Sequence, residues 1–197
     1  ASALLALAVS TRDNPTIAVP SMEYAFTRRA DVRSALGHLA TNLFDVDHEK
    51  SLPFLIKMVR DKANSYSNNW HINATVNKKP ELFDLEDTNP NLENSEFSNQ
   101  WRELLEIHLM RNGYASQSIA SGLIDQHPDL AINVLLLAEK IREAQSRRNE
   151  STDEAIYRRE ESYISGFLLS NTNPDNPEKS QNIYKLIQNN PEACQYL

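Results

Sequence analysis

Apolar residues recur along this chain with the spacing of helices, and in one place they fill the helix all round. In the stretch His127–Arg148, the residues Leu130, Ala131, Ile132, Val134, Leu135, Leu136, Leu137, Ala138 and Ile141 cover nearly the whole circumference. A helix with that pattern needs neighbours on several sides, so it is expected at the centre of the fold. Pro128 suits its first turn, where the missing N–H costs nothing, and Asp129 faces the positive end of the dipole. Lys140, Arg142, Arg147 and Arg148 gather towards the opposite end, where cations are favoured.

The remaining elements follow from stripes and caps. Ala1–Val9 is apolar enough for a first packed helix and too short to span a bilayer. Pro15–Pro20 looks like a linker, after which Ser21 caps a short helix through Met22, Tyr24 and Phe26. Val32, Ala35, Leu36, Leu39, Ala40 and Leu43 predict a helix over 30–44, broken by Asp45–Glu49. Ser51 is the expected N-cap of the next helix, whose buried face is Leu52, Leu55, Ile56, Val59 and Ala63, with Pro53 in its first turn.

Regularity then fails over 67–94 and returns with Phe97, Trp101, Leu104, Leu105, His108 and Leu109, one face of a helix over 96–111. Asn112-Gly113 reads as its stop, with Gly113 left-handed, and a helix over 114–125 leads into the central one. Ser151 and Glu154 form a capping box ahead of Ile156, Tyr163, Ile164, Phe167 and Leu168. Asn171–Asn176 is a turn, and Pro177 opens a helix with Ile183, Leu186 and Ile187 that ends before Pro191. The corners LIDQHPDLA, from Leu123, and LIQNNPEAC, from Leu186, resemble each other. Without a matching corner between them, two similar bends in one bundle explain this better than a stacked repeat.

The fold class expected is therefore all-α, an irregular bundle of about seven to nine helices with one long irregular connection over about 67–94. Residues 1–197 are read as one domain, with 1–66 and 95–197 as the alternative division across that connection. Only four glycines agree with a helical fold and disfavour Gly-rich phosphate loops. A net charge of −7 argues against general binding to nucleic acid or insertion at an anionic membrane. The single cysteine, Cys194, excludes an intramolecular disulfide and suits a reducing, cytoplasmic setting; it reads as a small packing residue.

Candidate chemistry is sparse. No P-loop, HExxH, GxSxG or dinucleotide turn is present. Asp45, Asp47 and His48 are spaced like the start of a calcium loop, but Lys50 stands where glycine is needed and Ile56 where a bidentate acid is needed. The five histidines show no ligand spacing, so neither a metal nor another cofactor is expected. His108 shares an apolar face with Trp101 and Leu105; it reads as a core histidine, with a general base as the alternative. Two sequons, Asn73-Ala-Thr75 and Asn149-Glu-Ser151, carry no weight in so asparagine-rich a chain.

Two groups are candidate binding residues. Arg142, Arg147, Arg148 and Arg158 sit in an otherwise acidic chain, although Glu143 with Arg147 and Glu154 with Arg158 are also favourable i,i+4 pairs on a solvated face. In the connection, Trp70 and Phe83 are too apolar for a simple linker, and Lys78-Lys79-Pro80 reads as an exposed tip. The functional expectation is a non-catalytic helical protein-interaction domain of the kind used in larger adaptors or secreted bacterial effectors, with another protein as partner. The alternative is an enzyme or GTPase regulator whose site is assembled from dispersed residues, through an arginine finger or His108. Oligomeric state is not legible at this level.

Overall fold

The computed structural model describes residues 13–28, 33–60, 72–73, 75–77, 96–148, 162–172 and 174–197; among these the regular structure is entirely helical, without a strand. The chain divides into two compact units, residues 1–82 with 86–108 and residues 83–85 with 109–197. The helix expected over Ala1–Val9 and the capping box of Ser151 and Glu154 lie outside the described residues.

In the first unit the expected linker at Pro15–Pro20 is helical instead. Helix α1 (Pro15–Arg28) begins on one proline and carries the other inside it. Pro15 loses no intrahelical bond, and the exposed Pro20 forfeits only the one its N–H would make to the Thr16 carbonyl. Helix α2 (Arg33–Val46) follows as its stripe predicts and buries Leu39, Ala40, Leu43 and Phe44. Its break is a single residue, Asp47, before α3 (His48–Arg60).

The N-cap of α3 falls on Asp47 and not on Ser51. One Asp47 carboxylate oxygen accepts the Lys50 N–H at 3.1 Å, and the other pairs with Lys50 Nζ at 2.8 Å. Lys50 thereby holds the Asp47 carboxyl below its ordinary range. Capping earlier releases Ser51, which is fully buried and donates its hydroxyl to the Ala40 carbonyl at 2.8 Å, tying α3 to α2. Besides Leu52, Leu55, Ile56 and Val59 of the predicted face, Phe54 and Met58 are also buried, so α3 is enclosed on more than one side; Ala63 lies outside the described residues.

Helix α4 (Glu96–Arg111) belongs to this unit through His108. Trp101 stacks on Phe44 with ring centroids 5.3 Å apart, and Leu104 and Leu105 are buried beside it in sequence. Arg60 of α3 is ion-paired with Glu103 of α4. Part of the connection expected to be irregular is not: residues 72–73 and 75–77 are helical, and Ile72, Thr75 and Val76 are fully buried. Four residues apart, Ile72 and Val76 have the spacing of one helix face, and both are buried.

The second unit is built around α6 (Pro128–Arg148), with α5 (Ala115–Leu123), α7 (Tyr163–Ser170) and α9 (Pro191–Cys194) packed against it and α8 (Pro177–Asn189) against α7 and α9. Ala131, Ile132, Val134, Leu135, Leu136 and Ala138 of α6 are buried, as the apolar run requires. Gly113 is not left-handed, since no glycine among the described residues has positive φ. It is needed for a different reason: a Cβ there would collide with the Tyr163 phenol, which lies across it and meets Tyr114 edge-on at 5.4 Å.

Both proline corners open a helix as expected. Pro128 starts α6, and Pro191 starts α9, whose first N–H groups, of Glu192 and Ala193, are accepted by the Asn190 side chain at 3.1 and 2.9 Å. The likeness ends there. After Pro128 the third residue, Ala131, is buried; after Pro191 it is the second, Ala193, while Cys194 is exposed and does not pack. The final residues are fastened by polar contacts. Lys140 pairs with Glu192 at 2.7 Å, Ser165 Oγ donates to the Tyr196 carbonyl at 2.6 Å, and Tyr196 donates its hydroxyl to Glu143 at 2.7 Å. Burial, then Glu143, pushes the Tyr196 phenol up to about 12.

Candidate functional site

The arginine group does not form one site among the described residues. Arg142 is largely covered, its side chain 15% exposed, and its Nε donates to Glu139 at 2.7 Å. Arg147 is 79% exposed and lies 3.7 Å from Glu143, the i,i+4 pair its spacing suggests. Arg148 ends α6, and Arg158 lies outside the described residues, as do Trp70, Lys78, Lys79 and Phe83.

His108 is buried, and its Nε2 lies 2.8 Å from the Asn73 side-chain oxygen. Desolvation pushes the imidazole down to about 4, so near neutrality it is uncharged and donates Nε2–H to Asn73. The partner is thus a side chain rather than a backbone group, and the ring as a whole is buried among the core residues of its helix face. Among the described residues no group of three or more His, Cys, Asp or Glu side chains could hold a metal ion. Asp47, the best-placed acid of the calcium-like run, is occupied as the cap of α3.

The residue missed in the sequence is Glu139, a carboxylate with no exposed surface. Its Oε1 accepts from Ser162 Oγ at 2.6 Å and from the Ile164 N–H at 3.1 Å; its Oε2 accepts from Arg142. Ser162 in turn accepts from the Ile164 and Ser165 N–H groups at 3.1 and 3.2 Å. The first turn of α7 is therefore capped twice, once locally and once by a side chain of α6. At eight residues α7 is too short to persist alone, so this cap and the burial of Ile164 and Phe167 hold it. The signal was present: one acid inside an otherwise apolar circumference is either misplaced or paired.

The second unit also presents an open groove of about 500 Å³ beside the α5–α6 corner. Its apolar floor is Ile124 and Pro128 from the corner with Ile183 and Leu186 from α8. Asp125 and Lys179 face each other at its rim, Nζ lying 2.7 and 2.8 Å from the two carboxylate oxygens. Glu178, Asn176 and Asn182 complete the lining, and Asn176 accepts the Lys179 N–H at 3.1 Å as the N-cap of α8. Ile124, Asp125 and Pro128 belong to a corner legible in the sequence, Asn176 to a turn, and Ile183 and Leu186 to a stripe. Their meeting depends on how α8 folds back, which no local pattern encodes.

The fold and groove together define a class, an all-helical protein with an apolar-floored surface cleft. No family model, no curated protein and no solved structure matches the chain.

Proposed function

We propose that the second unit is a non-catalytic protein-interaction module whose groove receives apolar side chains from a partner. The observation that carries this reading is the groove itself, an open cleft of about 500 Å³ with Ile124, Pro128, Ile183 and Leu186 in its lining. An apolar floor between two helical elements, rimmed by charge, is the arrangement that accepts short peptide segments. Supporting it, the residues with most catalytic potential are committed to the architecture: His108 to Asn73, Arg142 and Glu139 to each other and to the start of α7. No helix among the described residues is long and apolar enough to cross a membrane.

A displayed library of random peptides, selected on the protein and counter-screened on Asn182→Trp, tests the proposal. Asn182 is exposed and lines the groove, so the indole fills the cleft without entering the core. Peptides with an apolar anchor should enrich and should lose binding to the variant. Selection that yields no peptide sensitive to Asn182→Trp sinks the reading.

A further inference from the structure

The helices of the second unit are not held equally. Helices α5 and α6 bury Ile119, Leu123, Ile132, Val134, Leu135 and Leu136 among others, and α7 buries Ile164 and Phe167. Helices α8 and α9 bury Ile183, Ile187 and Ala193, with Leu186 half-buried. Polar contacts supply further ties to the core. Lys179 with Asp125 and Lys140 with Glu192 are pairs of exposed side chains, which contribute little to stability. The half-buried Tyr196, just past α9, donates its hydroxyl to Glu143 of α6 at 2.7 Å and accepts from Ser165 of α7 at its carbonyl. Helices α8 and α9 are in turn joined to each other: they pack together, and Asn190 both ends α8 and caps α9. The turn that connects them to α7 has no buried side chain among Thr172, Pro174, Asp175 and Asn176. Ser180 spans it by donating to the Asn171 carbonyl at 3.2 Å, but the Asn176 carbonyl of its own helix lies equally near.

We infer that α8 and α9 form a clasp that opens as one unit while α5, α6 and α7 stay folded. Segments with few buried apolar side chains and surface polar ties open at lower free energy than the core they rest on. Helices of 13 and four residues do not persist undocked, so opening also melts them. It dismantles the groove as well: Ile124, Asp125 and Pro128 stay with the core, and Ile183 and Leu186 leave with the clasp. The groove thus exists in the closed form alone, whatever it receives.

Native-state hydrogen exchange on the full chain, read by NMR at single amides, tests this without a ligand. Ile187 reports on α8, Cys194, whose N–H donates to the Asn190 carbonyl at 2.9 Å, on α9, and Leu135 on the core. Ile187 and Cys194 should share one opening constant, larger than that of Leu135 by roughly a hundred-fold or more. Two conservative variants separate the alternatives. Tyr196→Phe removes the bond to Glu143 and should speed Ile187 and Cys194 by the same factor, about ten-fold. Ile119→Val thins the core that stays folded, so it should speed Leu135 by roughly three-fold or more and leave Ile187 and Cys194 unchanged. If Tyr196→Phe speeds Cys194 and leaves Ile187 as it was, α9 opens by itself; if Ile119→Val moves all three amides together, the unit opens only as a whole. Either result overturns the inference, as does a Tyr196→Phe protein in which neither Ile187 nor Cys194 responds.

Discussion

Removing the Glu139 carboxylate tests how the second unit is held together. In Glu139→Ala, Ser162 Oγ loses its acceptor, Arg142 loses its ion pair, and a small cavity opens beside α7. Breaking a buried charged pair from one side costs about 3–5 kcal/mol, out of a total stability of roughly 5–15 kcal/mol. Two features place this case near the lower end, at about 3 kcal/mol. The Ile164 N–H keeps Ser162 as an acceptor, and Arg142 retains a little exposure through which water can reach it. Glu139→Gln preserves an oxygen for Ser162 and Ile164 but turns an amide NH2 towards the Arg142 donor, losing both the charge and that hydrogen bond, so about 2 kcal/mol is expected. Arg142→Leu alone strands the carboxylate, whereas Glu139→Leu with Arg142→Leu removes both charges and should be less destabilised than the two single changes added together. Urea denaturation of these variants and of Glu139→Leu alone, five in all, measures these differences, and hydrogen exchange of the Ile164 and Ser165 amides localises them. A Glu139→Ala protein within about 0.5 kcal/mol of the parent, with unchanged exchange at Ile164, would refute the argument that this carboxylate caps α7.

Three further outcomes are expected. His108 is held at about 4 in the folded protein against 6.5 when unfolded, so its contribution is complete above 6.5 and is lost as pH falls from there towards 4. The loss amounts to about 3 kcal/mol and should vanish in His108→Gln, so the stability difference between the two proteins must change with acidification; parallel curves would contradict it. Gly113→Ala should destabilise by about 1–3 kcal/mol because the Tyr163 ring is displaced, and should become neutral or stabilising by about 0.5 kcal/mol when introduced into Tyr163→Ala. A Gly113→Ala penalty that persists without the ring would point to backbone strain instead. Leu135→Asp should prevent folding, as an unpaired charge in a core costs several kcal/mol; native circular dichroism with unchanged melting would show that Leu135 is not in the core.

The helices were legible where apolar spacing and burial agree. Leu39, Leu43, Leu104, Leu105 and, in α6, Ala131, Ile132, Val134, Leu135, Leu136 and Ala138 are buried as their stripes require, while Leu130, Leu137 and Ile141 of the same run are half-buried. The joints were less legible, because caps compete locally and tertiary contacts choose between them. Asp47 and Ser51 are both acceptable caps, and the choice turns on Ser51 having the Ala40 carbonyl to bond across the α2–α3 contact. Gly113 was correctly singled out for the wrong property, since a glycine that frees the backbone and one that makes room for a ring look identical in a sequence. The candidate site was least legible. The arginines were conspicuous as charges, yet the residue on which Arg142 acts, Glu139, was hidden by its apolar neighbours. The groove joins residues some fifty positions apart, Asp125 and Lys179 among them.

The joint at Asp47 also constrains how the chain can change in length. Its N–H donates to the Leu43 carbonyl at 2.7 Å, its carbonyl accepts from Ser51 at 3.1 Å, and its side chain closes α3. Every polar group of the residue is spoken for, so the joint has no slack. One residue inserted beside Asp47 would turn α3 by about 100° about its own axis, bringing the exposed Pro53 to the place of the buried Phe54 and Leu52 out to the exposed place of Pro53. The Asn171–Asn176 turn has the opposite character: its end residues cap two helices, and its exposed middle at Pro174 and Asp175 carries no core side chain. Insertions and deletions compatible with the fold therefore belong in that turn, and the spacing between Leu43 and Leu52 must stay fixed.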